Sequence, residues 1–293
     1  MTMKKSYRVA EHVFSFVFPE GHPLWGMLSQ YQPFELKEAE DALFSVELVN
    51  ELPECSLEKV YGGDEEPGQP VILLYRRAGG WAFEMSPCTG RPICGRVHVD
   101  EGFSHAQLQV LRPSEGLFAV NNATMLMFAF RTAALDTLEM HASVVVNGGK
   151  AFLWLAKSGT GKSTHSQLWL QNVPGSSLLN DDNPVVRVMA DGHTEVFGTP
   201  WSGKTPCYKN EHYPAGAFTE IVRSAENRIT RKKVLEAYAL LYSSSSGFKA
   251  DPAMADGLNA TYEKIIKATP CFTLECRPDA DAARVSSETL LAL

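Results

Sequence analysis

The feature that most constrains the fold is a glycine-rich segment, AKSGTGKST, at residues 156–164. The apolar residues 151–155 predict a strand before it, and residues 162–171 predict a helix after it. Glycine in such a loop lets successive N–H groups turn inward as an anion-binding nest, at the positive end of the following helix. This order of elements predicts an α/β domain with a phosphate-binding loop, and the alternative is a chance glycine-rich turn.

The side chains of this segment suit a nucleoside triphosphate and Mg²⁺. Lys162 is placed to reach the β and γ phosphates, and the Ser163 hydroxyl is placed to bind Mg²⁺. Ala156 stands where the strict motif has its first glycine, and a small residue is compatible with that position. The predicted ATP-binding residues are Ser158, Gly159, Thr160, Gly161, Lys162, Ser163 and Thr164.

A pair of adjacent carboxylates, Asp181 and Asp182, follows the next predicted strand at residues 177–179. Neighbouring carboxylates repel each other, and Mg²⁺ offsets that repulsion if one of them faces the metal while the other faces a proton to be removed. Taken without the glycine-rich loop, a solvated turn before Asn183 and Pro184 would be the better interpretation.

A histidine, His141, precedes the glycine-rich loop at the edge of the strand predicted at residues 143–147. The order of His141, the SGTGKS loop and the Asp-Asp pair resembles the catalytic domain of HPr kinase/phosphorylase and its relative, phosphoenolpyruvate carboxykinase. The resemblance covers about residues 140–222. It implies an α/β P-loop domain of the HPr kinase/phosphoenolpyruvate carboxykinase type that binds ATP and Mg²⁺ and transfers the γ-phosphoryl group to a hydroxyl.

The resemblance also implies roles for single residues. Asp182 would take the acceptor proton, Asp181 would lie near the metal, and Glu195 matches a metal-binding glutamate of the kinase family. His141 would approach the transferred phosphate or a second metal. Thr164 replaces the glutamate that usually follows the loop serine in the kinases, so the protein substrate HPr is not carried over.

The acceptor is therefore expected to be a hydroxyl on a protein, a peptide or a small molecule. Two other functions stay open on the sequence alone: a non-catalytic ATP-binding sensor, and plain ATP hydrolysis.

A loop at residues 198–212 carries glycine, proline, Trp201 and Lys204. We expect it to close over the acceptor side of the nucleotide, with Trp201 as an apolar cover and Lys204 offsetting charge on the transferred phosphoryl group. The alternative is a surface loop whose tryptophan packs against the core.

The first part of the chain has a different secondary-structure pattern from the rest. Short β-branched and aromatic runs separated by turn residues predict a β-rich N-terminal domain over residues 1–116. An apolar helix at residues 117–137 opens the predicted kinase-like domain, residues 117–293. Helices are also expected from about Arg231 and Met254.

Composition limits the partners. With 27 basic and 34 acidic residues the formal charge is −7, which disfavours nucleic acid. The chain has six cysteines and no CxxC pair, so reduced thiols and a cytoplasmic location are expected. No apolar stretch is long enough to predict a membrane span. Homo-oligomerisation stays open.

Overall fold

The computed structural model describes residues 1–38, 40–62, 68–203 and 205–293. These residues divide into two compact units, Met1–Arg131 and Thr132–Leu293. The division falls before the last residue of the helix Gly116–Thr132, whereas the sequence pattern predicts a boundary at the start of that helix. The helix ends before residue 137 because the chain turns at Asp136, which has φ +52°, and continues as a strand.

The first unit combines a mainly antiparallel sheet with short helical segments. Its neighbouring strands run in the order β1-β2-β3-β8-β7-β6-β5-β4. The strands are β1 (Thr2–Val9), β2 (His12–Pro19), β3 (Phe44–Leu48), β4 (Glu58–Tyr61), β5 (Val71–Arg77), β6 (Gly80–Ser86), β7 (Gly95–Asp100) and β8 (His105–Val110). The helices are α1 (Leu24–Met27) and α2 (Gly116–Thr132), with 3₁₀ segments at Ser29–Phe34 and Pro113–Glu115.

Aromatic side chains hold the start of this sheet together. Phe14 of β2 stacks on Phe44 of β3 at 5.3 Å between ring centroids, and Phe16 stacks on Phe18 at the same separation of 5.3 Å. Tyr31 meets Phe16 edge-on at 5.1 Å. Because these rings are fully buried, they supply much of the apolar core of the first unit.

The second unit alternates strands and helices. Its strands are β9 (Thr137–Glu139), β10 (Ala142–Asn147), β11 (Lys150–Leu155), β12 (Ser177–Asp182), β13 (Val185–Val188), β14 (Thr194–Phe197), β15 (His212–Arg223), β16 (Arg228–Arg231) and β17 (Cys271–Cys276). Its helices are α3 (Lys162–Asn172), α4 (Val234–Ser244), α5 (Pro252–Ala268) and α6 (Ala280–Leu290). The helix expected from about Arg231 begins at Val234, because Arg231 still belongs to β16. Nowhere in the described ranges does a helix combine the length and the apolar character needed to cross a membrane.

Helices cover both faces of the central strands. Val144 and Leu153 pack in the cluster that includes α4 and α5, whereas Val145 and Trp154 pack in the cluster that includes Trp169 of α3. Successive strand residues thus point to opposite buried faces, which explains why β10 and β11 are apolar throughout. The predicted mixed α/β architecture is confirmed at this level.

The strand register brings separate parts of the sequence to one edge of this sheet. Ala142, at the start of β10, pairs with Leu155 at the end of β11 and with Asp182 at the end of β12. On the other side of β11, the parallel strand β15 pairs Glu220 with Leu155, and Arg223 then pairs with Cys276 of β17. The chain that leaves β11 at Leu155 therefore emerges between the β10–β12 side and the β15–β17 side.

Candidate functional site

The segment that connects β11 to α3, residues 156–161, is referred to as the glycine loop. Gly159 has φ +73° and Gly161 has φ +137°, conformations that residues with a side chain rarely adopt. A Cβ atom at either position would meet nothing within 4 Å. The backbone conformation, and not lack of space, therefore requires glycine here.

Lys162, the first residue of α3, folds back over the loop. Its Nζ donates a hydrogen bond to the Ala156 carbonyl at 3.0 Å and lies 2.9 Å from His141 Nε2. The residue is only 8% exposed. Burial lowers the pKa of Lys162, while the charges of Asp182 and Asp181 act in the opposite direction. The Lys162 ammonium is thus held against the glycine loop, within electrostatic range of Asp181 and Asp182.

Lys162, His141 and Asp182 form what we call the Lys-His-Asp cluster. His141 Nε2 lies 3.4 Å from Asp182 Oδ1, and it is the same nitrogen that the Lys162 ammonium approaches. Burial and the Lys162 charge lower the pKa of His141, against the charge of Asp182, and this direction favours a neutral imidazole that accepts from the lysine. Burial raises the pKa of Asp182, against the pull of His141 and Lys162.

The other aspartate of the pair, Asp181, points into a buried polar network. Its Oδ1 accepts a hydrogen bond from Ser143 at 2.7 Å, and Ser143 lies 2.5 Å from the hydroxyl of Ser166. Asp181 is 5% exposed, and its Oδ2 has no hydrogen-bond partner among the described residues. A buried carboxylate oxygen without a partner is costly unless a cation or a donor satisfies it.

The chemistry of this oxygen is compatible with a Mg²⁺ ion that is held together with phosphate. Mg²⁺ in nucleotide sites is bound by one or two carboxylates plus substrate oxygens, and the exposed Ser163 hydroxyl follows Lys162 in α3. Across the described parts of the chain, no group of three or more His, Cys, Asp or Glu residues is arranged to hold a metal without such a substrate. Asp181 and Ser163 carry a carboxylate and a hydroxyl, oxygen groups of the kind that bind Mg²⁺ together with a nucleotide.

Glu195, the remaining predicted metal ligand, lies in a different cluster. Its carboxylate oxygens accept hydrogen bonds from His193 Nε2 and His212 Nδ1, each at 3.0 Å. In the strand register Glu195 pairs with Pro214, level with the start of β11, whereas the glycine loop follows the end of that strand. The structure thus does not bring Glu195 together with Asp181.

The loop at residues 198–212 passes directly beside the aspartate pair. A Cβ on Gly203 would lie 2.9 Å from the Asp181 carbonyl oxygen, so only glycine allows this close approach. Trp201 is buried, and its carbonyl accepts a hydrogen bond from Asn180 Nδ2 at 3.1 Å. Trp201 is therefore fixed in the protein interior, which agrees with the alternative interpretation that the tryptophan of this loop packs against the core. Lys204 lies outside the described residues.

Asn180 is one of the site residues that sequence reasoning missed. Besides holding the Trp201 carbonyl, its side chain donates to Thr199 Oγ1 at 3.0 Å and accepts from the Asp182 backbone N–H at 2.9 Å. One buried amide thereby fixes the loop and the Asp182 backbone together. Its position just before the Asp-Asp pair is the sequence feature that could have identified Asn180 as a site residue.

Glu139 and Arg223 were also missed. Glu139 is 2% exposed, and burial, followed by the nearby charge of Asp182, raises its pKa to about 8. Arg223 donates to the carbonyls of Gly159 at 2.5 Å and of Thr160 at 3.0 Å, so β15 supports the glycine loop from outside. Neither residue belongs to a motif, and only the proximity of Glu139 to His141 in the sequence hinted at the site.

Comparison with known proteins finds similarity in structure and none in sequence. No family model matches the chain, and no curated protein matches its sequence. Among solved structures, the fold is similar to the HPr(Ser) kinase/phosphatase from Coxiella burnetii, with a TM-score of 0.32 and 9% sequence identity, over 53% of this chain and 97% of that one. At this identity and TM-score the likeness carries no statement about activity or substrate.

Proposed function

We propose that the second unit is a Mg²⁺-dependent kinase that transfers the γ-phosphoryl group of ATP to a hydroxyl. The observation that carries the proposal is the Lys-His-Asp cluster, in which His141 lies between a cation held on the glycine loop and a carboxylate suited to accept a proton. The order of the sequence motifs, which resembles that of HPr kinases, supports the same chemistry.

In this proposal the glycine loop binds the phosphates of ATP. Its backbone N–H groups and the positive end of α3 face the anion, while the Lys162 ammonium leaves His141 to contact the β and γ oxygens. When bound through Asp181 and Ser163, Mg²⁺ would neutralise part of the phosphate charge. Catalysis would rest on positioning and charge compensation, as in other phosphoryl transfers.

Asp182 is the residue that would accept the proton. The acceptor O–H proton passes to the Asp182 carboxylate as the acceptor oxygen bonds to the γ phosphorus, and the bond to the bridging oxygen of ADP breaks. Because burial raises the pKa of Asp182, this carboxylate is a stronger base than a solvated aspartate. The hydrogen bond from its backbone N–H to Asn180 keeps it in place.

The proposal is tested by measuring ADP formation with and without hydroxyl acceptors. Purified full-length protein receives Mg²⁺-ATP together with free serine or a pool of serine-containing peptides, and Asp182→Asn serves as the variant that keeps the shape and removes the base. We expect acceptor-dependent ADP formation that falls by about 10²-fold or more in Asp182→Asn, the usual effect of losing a general base.

Other outcomes would contradict the proposal. ADP that forms at the same rate without any acceptor would indicate plain ATP hydrolysis. ATP that binds tightly and is never turned over would indicate a nucleotide sensor. An Asp182→Asn protein that phosphorylates the acceptor at the wild-type rate would remove Asp182 from the mechanism.

A further inference from the structure

A cavity of about 570 Å³ opens beside the glycine loop, on the side away from the Lys-His-Asp cluster. Its walls come from α3, from the end of β15 and from the segment after β17. The cavity lining includes Leu168, Ile221, Arg223, Cys276, Arg277 and Pro278. The volume lies within the range of about 300–1,000 Å³ that is typical of small-molecule pockets.

The order of the strands places the cavity and the cluster on opposite sides of the loop. The Lys-His-Asp cluster lies toward β10 and β12, because His141 precedes β10 and Asp182 ends β12. The cavity lies toward β15 and β17, which are on the other side of β11. Since residues 159–161 also line the cavity, a ligand bound along the loop can extend directly into it.

The lining has the chemistry of a site for a flat, mostly apolar group attached to an anion. Leu168, Ile221 and Pro278 provide apolar carbon atoms that a flat ring can contact. Arg223 and Arg277 provide cationic groups at the same cavity, Arg277 while paired with Asp279 at 2.9 Å, and the lining contains no aspartate or glutamate among the described residues. An anionic ligand therefore meets no carboxylate in this lining.

Arg223 connects the cavity to the loop. Its guanidinium already donates to the carbonyls of Gly159 and Thr160 while its side chain lines the cavity. The loop and the cavity wall are thereby held in one fixed relation, so a ligand that occupies both finds them arranged in advance.

We propose that this cavity holds the base and ribose of the nucleoside triphosphate, with the phosphate chain crossing the glycine loop toward Asp182. This inference rests on the proposed function, since it takes the triphosphate to be bound by the loop. It assigns the nucleoside to the β15–β17 side and the reacting γ phosphate to the β10–β12 side.

The test compares ATP with inorganic tripolyphosphate, which has the phosphates and lacks the nucleoside. Calorimetry in the presence of Mg²⁺ gives the affinity of each ligand for the wild type, Leu168→Ala and the control Leu178→Ala. Both leucines are partly buried and pack against the same core cluster, but Leu178 does not line the cavity. Circular dichroism and thermal unfolding establish that each variant is folded.

We expect Leu168→Ala to weaken ATP binding by about fivefold or more, through lost apolar contact with the base. Its affinity for tripolyphosphate should stay unchanged, and Leu178→Ala should bind both ligands as the wild type does. If Leu168→Ala fails to fold, Ser224→Trp replaces it, because this cavity-lining serine is only partly buried and an indole there narrows the cavity. That variant should also lose ATP affinity and keep tripolyphosphate affinity.

The failure of this inference differs from the failure of the proposed function. If the wild type binds ATP and tripolyphosphate equally tightly, or if the cavity variants keep full ATP affinity, the nucleoside is not in this cavity although the loop still binds phosphate. If the wild type binds neither ligand, the phosphate site itself is refuted, and the nucleoside assignment falls with it.

Discussion

Replacing Glu139 with glutamine should flatten the pH dependence of stability. Glu139 is almost completely buried, one of its oxygens has no partner among the described residues, and Ser246 hydrogen bonds to its side chain. Burial and the neighbouring Asp182 charge raise its pKa from 4.5 to about 8. At neutral pH the folded protein therefore keeps a neutral carboxylic acid beside Asp182.

The raised pKa of Glu139 determines how the free energy of unfolding changes with pH. The folded state binds the Glu139 proton more tightly than the unfolded state, so the free energy of unfolding falls as the pH rises from 4.5 to about 8. At about 1.4 kcal/mol per pKa unit, the loss over that range is on the order of 5 kcal/mol. Glutamine has nearly the same shape and does not titrate, so the variant should lack this loss.

The assay is urea unfolding of the full-length protein at pH 5 and pH 8. We expect the wild type to lose several kcal/mol more stability than Glu139→Gln between these pH values, a large part of the shift set by the pKa. The control is Glu263→Gln on the exposed face of α5, which should follow the wild type. Parallel curves for the wild type and Glu139→Gln would refute the buried, protonated state of Glu139.

Two further predictions concern nucleotide binding. Asp181→Asn should abolish most of the enhancement of ATP binding by Mg²⁺, because the carboxylate proposed to bind the metal loses its charge. ATP titrations with and without Mg²⁺ measure this enhancement. An unchanged enhancement would exclude Asp181 as a metal ligand. Arg223→Ala should weaken ATP binding by about tenfold, since the carbonyls of the glycine loop lose charged donors. Arg228→Ala, which removes an exposed ion pair with Glu275, is its control, and equal losses in both variants would count against support of the loop by Arg223.

Local sequence patterns predicted the secondary-structure elements that depend on contiguous residues. The strand, glycine loop and helix around residues 151–172 are encoded by contiguous residues, and β11 and α3 occupy them. The resemblance placed His141 near the transferred phosphate or a second metal, and the approach of His141 to Asp182 depends on the pairing of β10 with β12. Contiguous patterns thus gave the elements, while their assembly into a site rests on strand register.

Register is also the reason why other residues escaped prediction. Arg223 reaches the glycine loop only because β15 pairs with β11 across more than 60 residues of sequence. Glu195 is directed to His193 and His212 by its place in β14, which no local motif reveals. Glu139 belongs to a strand of 3 residues, too short for its burial to be visible as periodicity.

The central claim, that the glycine loop and Lys162 bind the phosphates of a nucleotide, is tested most directly by calorimetry with Mg²⁺-ATP. Lys162→Ala removes the buried ammonium, and Lys157→Ala removes an exposed lysine of the same loop as its control. Loss of charge-assisted hydrogen bonds of about 1.5–3 kcal/mol predicts an affinity roughly 10- to 150-fold weaker for Lys162→Ala, with Lys157→Ala close to the wild type. A folded Lys162→Ala protein that binds Mg²⁺-ATP as tightly as the wild type would contradict the account.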